Sequence, residues 1–144
     1  MRIGDILKTK GSTVYSIRLW KTVAEAVTEM GRLRVGALLV LDAHDTIAGI
    51  VSERDIVLAL GRHGPATLSL EVTEVMTRQV RTCTSDMPVA EAMSTMTAGR
   101  HRHLPVVDNG QVVGLVSIGD LVKHRLREME IETGVLRDRV IAHS

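Results

Sequence analysis

The first half of the chain alternates between short apolar runs and stretches in which apolar residues recur at helical spacing. Short apolar runs bounded by polar residues predict strands of a covered sheet. The three predicted strands are residues 14–17, 37–41 and 47–51. Helical spacing predicts a helix over residues 22–32 and a second helix over about residues 52–60, which Gly61 would end. The predicted order is therefore strand, helix, strand, strand, helix.

The second half of the chain repeats this pattern. Residues 49–55 are Gly-Ile-Val-Ser-Glu-Arg-Asp, and residues 114–120 are Gly-Leu-Val-Ser-Ile-Gly-Asp. Each motif is preceded by a lead-in and two further blocks, in the same order. The lead-in at residues 3–7 matches residues 72–76, and the blocks at residues 23–27 and 38–42 match residues 89–93 and 104–108. The motifs are 65 residues apart and the two upstream blocks 66, and a turn after Asp42 accommodates the extra residue. The chain is thus two copies of one unit.

The repeat predicts the elements of the second unit. Its strands are expected at residues 80–83, 103–107 and 112–116, and its helices at residues 88–98 and from residue 118 onwards. Ser85 and Asp86 are candidate N-caps of the first of these helices, and Pro88 suits its first turn. The predicted fold is α/β (α+β), with two β-α-β-β-α units at residues 1–64 and 65–125. Residues 126–144 are expected to form a charged C-terminal helical extension.

Composition narrows the class of protein. The chain has 144 residues, of which 44% are hydrophobic, but it contains one Trp, one Tyr and no Phe. A net charge of +1 and the scarcity of aromatic side chains argue against nucleic-acid binding. No apolar run is long enough to cross a membrane, and the first residues lack the apolar region of a signal peptide, so we expect a cytoplasmic protein. A single cysteine, Cys83, cannot form an internal disulfide.

The Ser-x-x-Asp strings at Ser52–Asp55 and Ser117–Asp120 have two interpretations. In the first, each serine caps a helix and each aspartate returns a hydrogen bond, which is a capping box. In the second, the helix N-terminus and the serine hydroxyl hold a phosphate, while the aspartate accepts hydrogen bonds from ribose hydroxyls. Both interpretations remain open on the residues alone.

The string Gly-apolar-apolar-Ser-x-x-Asp resembles the signature of CBS domains, and its tandem occurrence resembles a Bateman module. The resemblance extends over residues 3–124 and includes the Leu-Pro-Val-Val-Asp block at residues 104–108. Residues 52–57 and 100–105 in particular look like short stand-alone bacterial two-CBS proteins.

That resemblance implies two units packed with pseudo-twofold symmetry, with clefts that bind AMP, ADP, ATP, NADH or S-adenosylmethionine. Such modules sense energy or redox state by binding these ligands. The chain would then be a non-enzymatic regulatory module that passes a signal to a partner protein or through a homodimer. No catalytic cofactor or metal is implied, and the sequence has none of the common hydrolase, P-loop or zinc-protease motifs.

The resemblance also assigns candidate binding residues. The motif aspartate of the family holds ribose, which implies this role for Asp55 and Asp120. The matching phosphate-binding positions are Ser52, Arg54, Ser117, Arg102 and His103. The matching positions that border adenine are Ser16, Ile17, Thr82, Cys83 and Pro105.

The two candidate sites differ in charge. The first unit has Gly36-Ala37 where the second has Arg102-His103. One site is therefore expected to take a charged nucleotide and the other a less charged ligand or none. The competing hypothesis is a ligand-free structural or protein-interaction module in which the Ser-x-x-Asp strings are only helix caps.

Overall fold

The computed structural model describes the backbone of residues 1–143 and the side chains of residues 1–131. It has a mixed α/β fold with five α-helices and two small sheets in that part of the chain. The elements in order are α1 (Ile3–Lys10), β1 (Ser16–Arg18), α2 (Val23–Leu33), β2 (Ala37–Leu41), β3 (Ile47–Ser52), α3 (Glu53–His63), α4 (Val89–Gly99), β4 (His103–Asp108), β5 (Gln111–Ser117) and α5 (Ile118–His143). Two 3₁₀ helices, Gly64–Ser69 and Val72–Glu74, follow α3.

The chain divides into two compact units. The central unit is Thr13–Arg81, and the terminal unit is Met1–Ser12 together with the chain from Thr82 onwards. The central unit contains a three-stranded sheet of order β1-β2-β3, in which β1 is parallel and β3 antiparallel to β2. The terminal unit contains the antiparallel pair β4-β5. Each unit has its own cluster of buried aliphatic and methionine side chains, as expected for a chain that has no Phe.

The compact units do not coincide with the sequence repeats. Helix α1 belongs to the first repeat but packs in the terminal unit, where the N–H of Ile3 donates to the carbonyl of Met87 at 2.9 Å. The matching lead-in of the second repeat packs in the central unit, where Thr77 and Ile50 exchange two backbone hydrogen bonds of 2.8 and 3.0 Å. Each lead-in thus completes the unit built from the other repeat.

Apart from the strand predicted at residues 80–83, the predicted strands and helices are confirmed, some with corrected bounds. Strand β2 covers the predicted residues 37–41. Helix α3 continues past Gly61 and ends at His63, and its C-cap is Gly64, whose φ of 59° lies in the left-handed region. Gly61 is exposed with open space around its Cα, so it is tolerated inside the helix. The lead-in of the first repeat, to which the sequence pattern assigns no element, forms α1.

The prediction of a strand at residues 80–83 is wrong. Only Cys83 pairs, in an isolated parallel bridge with Val106. The predicted N-caps of α4 are also wrong, because α4 begins at Val89 with Pro88 in the N-cap position and no side-chain cap. Ser85 instead donates to Asp108, from its N–H at 3.0 Å and from its hydroxyl at 2.5 Å. These bonds lower the pKa of Asp108. Ser85 also lies three residues before the N-cap position, so it does not reach the first turn of α4 as a cap.

The extra residue of the first repeat lies in the turn between β2 and β3. There Asp42 accepts hydrogen bonds from the N–H groups of His44 and Thr46, at 2.8 and 3.0 Å. The matching turn between β4 and β5 is the shorter Asn109-Gly110 turn, and both residues have positive φ. Asn-Gly is the preferred pair for a two-residue hairpin of this kind. The turn therefore absorbs the difference in repeat length, as the sequence predicted.

Candidate functional site

The Ser-x-x-Asp motif of the central unit lies where β3 runs directly into α3. The hydroxyl of Ser52 accepts a hydrogen bond from the N–H of Asp55 at 3.3 Å and donates to Asp55 Oδ2 at 2.9 Å. The N–H of Ser52 donates to the same carboxylate oxygen at 2.9 Å. This is a capping box, so the capping interpretation of the sequence is confirmed for this motif.

Thr77, which directly follows the lead-in of the second repeat, completes the surroundings of Asp55. The hydroxyl of Thr77 donates to Asp55 Oδ1 at 2.9 Å. Thr77 is held in place by its backbone bridge to Ile50 in β3. Both oxygens of the Asp55 carboxylate therefore accept hydrogen bonds, and the donors among the side chains are neutral hydroxyl groups.

The motif of the terminal unit is built in the same way at the junction of β5 and α5. The N–H of Ser117 donates to Asp120 Oδ2 at 2.8 Å, and the N–H of Asp120 donates to the Ser117 hydroxyl at 3.1 Å. The side chain that contacts this aspartate from α1 is that of Lys10, the last residue of the helix. Its ammonium group lies 2.6 Å from Asp120 Oδ2 and donates to the carbonyl of Leu115 at 2.7 Å.

The ammonium group of Lys10 changes the electrostatics of Asp120. Burial alone would raise the pKa of this carboxyl, whose side chain is 25% exposed. The hydrogen bond from Lys10 and the N–H of Ser117 outweigh that effect, and the pKa of Asp120 is lowered. Asp120 is therefore ionised and partly neutralised by a fixed cation at neutral pH.

The basic residues predicted to bind phosphate lie beside the Ser117 motif. His103 is the register partner of Ser117, and the carbonyl of Arg102 accepts the N–H of Ile118 at 2.8 Å. In the central unit Ala37 pairs with Ser52, and the carbonyl of Gly36 accepts the N–H of Glu53 at 3.0 Å.

The predicted correspondence between Gly36-Ala37 and Arg102-His103 is thus confirmed in structural register. A side chain added at Gly36 would lie 3.6 Å from the Glu53 carboxylate. An acidic group therefore stands beside the central motif, where the terminal motif has Arg102. The other predicted phosphate ligand, Arg54, is exposed in the first turn of α3.

Of the residues predicted to border adenine, Ser16 and Ile17 lie in β1 and Pro105 lies in β4. Thr82 and Cys83 lie at the isolated bridge between Cys83 and Val106. Ser16 and Ile17 pair with Leu39 and Val40 in β2. In the terminal unit the N–H of Cys83 donates to the carbonyl of Pro105 at 3.0 Å. The side chains of Ile17 and Cys83 are 8% and 3% exposed, whereas Ser16 and Thr82 are exposed.

The Cys83 thiol packs in the core of the terminal unit. Burial, with a further contribution from Asp108, raises its pKa to about 11. The thiol is therefore protonated at neutral pH and suits packing better than redox chemistry.

Candidate residues of the central unit line two of its cavities. Ser16 and Ile17 line a groove of about 540 Å³, whose other side is formed by α2 with Glu25 and Glu29. Asp55 belongs to a smaller cavity of about 130 Å³ beside Arg62 and His63. Among the described residues no cluster of His, Cys, Asp and Glu could hold a metal ion, and no helix is long and apolar enough to span a membrane.

Sequence reasoning missed Thr77 and Lys10. Each lies far along the chain from the aspartate that it contacts, so the motif itself gives no indication of it. The similarity of the two lead-ins does not indicate them either, because Thr77 directly follows residues 72–76 whereas Lys10 follows residues 3–7 by three positions.

Comparison with known proteins identifies the repeated unit. The family model described as "CBS domain" matches residues 21–62 and 72–127. The chain is 36% identical over 134 residues to the mitochondrial CBS domain-containing protein CBSX3 of Arabidopsis thaliana, which covers 88% of this chain. The chain spans 65% of the length of that relative.

Solved structures share the fold. The crystal structure of the CBS-domain containing protein ATU1752 from Agrobacterium tumefaciens has a TM-score of 0.82 at 37% identity, covering 86% of this chain and 92% of its own. The CBS domain pair of protein MJ0100, solved in complex with 5′-methylthioadenosine and S-adenosyl-L-methionine, has a TM-score of 0.77 at 26% identity. It covers 89% of this chain and 98% of its own.

Proposed function

This chain belongs to the CBS-domain family, and from that premise we propose that it is a non-enzymatic regulatory module that binds an adenosine-containing ligand beside a Ser-x-x-Asp motif. In this proposal Asp55 and Asp120 hold ribose hydroxyls, and Ser52, Ser117, Arg54, Arg102 and His103 hold phosphate. The base lies near Ser16 and Ile17, or near Thr82, Cys83 and Pro105. Ligands of this class are AMP, ADP, ATP, NADH and S-adenosylmethionine.

The observation that carries the proposal is the strand-to-helix junction found in both units. At each junction a helix N-terminus, a serine hydroxyl and a carboxylate converge within hydrogen-bond distance. Helix N-termini attract anions, and carboxylates accept bonds from vicinal hydroxyls, so one junction can hold both polar parts of a nucleotide. The adenosine ligands of the MJ0100 domain pair support this ligand class.

Regulation requires that the ligand bind one conformation of the module better than another. We propose that the signal passes to a separate protein or through a homodimer. Helices α3 and α5 carry apolar side chains on their exposed surface, which supports a contact of that kind. Among these residues Val57 is 64% exposed and Leu126 is 53% exposed.

Thermal unfolding in the presence of candidate ligands tests the binding proposal. The panel is AMP, ADP, ATP, NADH, NAD and S-adenosylmethionine, applied to the wild-type chain and to Asp55→Ala and Asp120→Ala. A ligand at about 100 times its dissociation constant adds about 2.7 kcal/mol of stability, which raises the melting temperature by several degrees. The expected result is a shift with an adenosine ligand that one of the two variants abolishes.

Thr22→Ala is the matched control. Thr22 caps α2 by accepting the N–H of Glu25 at 3.1 Å and lies outside both motifs. This variant should lose stability as any lost cap does, yet retain the ligand-induced shift in full.

The second candidate function is a ligand-free interaction module. The capping boxes at both junctions favour it, because they give Ser52, Asp55, Ser117 and Asp120 a structural role. It predicts that the motif variants and Thr22→Ala all lower stability alike, and that no compound of the panel shifts the wild-type transition.

A further inference from the structure

We propose that Lys10 is a ligand-binding residue that determines specificity at the Asp120 site. Its ammonium group binds a phosphate oxygen of the ligand, and this site therefore prefers phosphorylated adenosine ligands to neutral adenosine. The inference rests on the proposed function. It adds Lys10 to the binding residues and a phosphate group to the ligand.

The position of Lys10 is fixed by the terminal unit. Residues Ile3, Ile6 and Leu7 bury one face of α1 in the core of that unit. Lys10 is the last residue of the helix, and its ammonium group is held by Asp120 at 2.6 Å and by the carbonyl of Leu115 at 2.7 Å. Because two acceptors on β5 and α5 fix it, the cation stands at the N-terminus of α5 before any ligand arrives.

The ammonium group keeps the capacity to bind an additional acceptor. A lysine ammonium has three N–H donors, and the two contacts above use two of them. The lysine side chain is 37% exposed, so the group is accessible. A phosphate oxygen can therefore take the third donor without breaking the ion pair.

The ion pair also leaves a separate oxygen for the ribose. Lys10 and the N–H of Ser117 both approach Oδ2 of Asp120. A ribose hydroxyl that donates to Oδ1 therefore does not compete with Lys10. The same carboxylate can thus hold ribose and position the cation that binds phosphate.

The charges around the two motifs differ in the direction that the proposal requires. At the central motif Asp55 is contacted by the neutral hydroxyl of Thr77. The carboxylate of Glu53 lies next to Gly36. At the terminal motif the cation of Lys10 is joined by Arg102, next to the register partner of Ser117. The terminal motif therefore places the cations of Lys10 and Arg102 beside the single carboxylate of Asp120. The central motif places the cation of Arg54 beside two carboxylates, those of Asp55 and Glu53, so a phosphate is attracted more strongly to the terminal motif.

Isothermal titration with AMP and with adenosine tests the proposal in an Asp55→Ala background, where binding reports the Asp120 site. Lys10→Met should weaken AMP binding about 10- to 100-fold, as expected for the loss of a charge-assisted hydrogen bond. Adenosine binding should change less than about 3-fold. Lys8→Met, an exposed lysine of the same helix, is the matched control and should alter neither affinity.

Lys10→Arg keeps the positive charge, so it distinguishes an electrostatic role of Lys10 from a purely structural one. If the lysine binds phosphate, the arginine variant should recover most of the preference for AMP over adenosine that Lys10→Met loses. Should Lys10→Met fail to fold, the ¹⁵N resonance of the wild-type Lys10 ammonium provides the readout. It should shift on addition of AMP and not on addition of adenosine.

Two results would overturn the inference, and they are distinct. An unchanged ratio of AMP to adenosine affinity in Lys10→Met, with both compounds bound, would mean that Lys10 only fastens α1, while the proposed function stands. Absence of binding by AMP, ADP, ATP and adenosine to the wild-type chain would overturn the inference through its premise.

Discussion

The aspartates at the two helix starts occupy equivalent places in the repeat but have different partners. Asp55 accepts from the hydroxyl of Thr77, whereas Asp120 accepts from the ammonium group of Lys10. The backbone around them is the same in register, since Ala37 pairs with Ser52 as His103 pairs with Ser117. The backbone around the motif is thus the same in both copies of the repeat, whereas residues outside the motif determine the charge of each site.

The matched glycines Gly49 and Gly114 give the largest expected contrast between the units. A Cβ at Gly49 would lie 2.6 Å from the carbonyl oxygen of Thr77, which the backbone bridge to Ile50 holds in place. At Gly114 the nearest atom would be a methyl carbon of Leu7, also at 2.6 Å, and that side chain can rotate. We expect Gly49→Ala to cost about 3 kcal/mol and Gly114→Ala about 1 kcal/mol.

Urea unfolding measures this difference. Trp20 is the single tryptophan and lies in the central unit, so its fluorescence follows that unit while circular dichroism follows the whole chain. Equal losses of stability in the two alanine variants would mean that the Thr77 carbonyl yields as easily as the Leu7 side chain.

Removal of the serine caps should have a similar effect in both units. Ser52→Ala and Ser117→Ala each remove the acceptor for an aspartate N–H at the helix start. We expect each variant to lose about 1 kcal/mol of unfolding free energy. Ser52 also donates to Asp55 at 2.9 Å, so its loss should be the larger of the two. A loss at only one of the two serines, measured by urea titration, would contradict the equivalence of the junctions.

The lead-in contacts should differ in their dependence on pH. The pKa of Asp120 is lowered in the folded chain, so its contribution to stability is present above about pH 4 and is lost as the pH falls through the folded pKa. Lys10→Met should raise that pKa and remove about 0.5–1 kcal/mol at pH 7. The loss should diminish in acid, where the protonated Asp120 no longer attracts the ammonium group.

Thr77→Val is the comparison for that measurement. It removes a hydroxyl donor, and no cation, from Asp55. Urea titrations between pH 3 and pH 7 for both variants give the profiles. A loss in Lys10→Met that is independent of pH would indicate that Asp120 does not sense the ammonium group.

The smallest expected effect is a gain of stability at the ends of α2 and α4. Arg34 and Arg100 occupy the C-cap of these helices, both with φ of 56°, in the left-handed region that favours glycine. Arg34→Gly and Arg100→Gly should each stabilise the chain by about 0.5 kcal/mol, offset in part by the greater freedom of glycine in the unfolded chain. Thermal unfolding of both variants checks whether the two helix ends are equivalent, and a melting temperature that falls in either would contradict this.

The sequence predicted the strands and helices of the fold better than it predicted the residues around the candidate sites. Strand β2 was predicted within its observed bounds because a continuous apolar run stands between Gly36 and Asp42. The prediction failed at residues 80–83, where the repeat predicted a strand but only Cys83 pairs, in an isolated bridge. Local pattern indicates which residues can extend, whereas pairing depends on the neighbour that tertiary structure supplies.

The contacts of the two aspartates show the same limit. The capping boxes follow from local spacing and were one of the two interpretations of the motif. Lys10 stands 110 positions from Asp120, and no periodicity relates them. The charge of each candidate site is therefore set by residues that local reasoning about the motif does not reach.

The exchange of lead-ins has a consequence for the order in which the chain acquires structure during synthesis. The central unit is contiguous, so every residue that it needs has left the ribosome once Arg81 has emerged. The terminal unit folds later, because α1 is made before the central unit and the strands and helices that it packs against are made after it. Closing a loop of that length carries an entropic cost and slows folding. We therefore expect the nascent chain to present a folded central unit with an unpaired α1 until β4, β5 and the first part of α5 have also been synthesised.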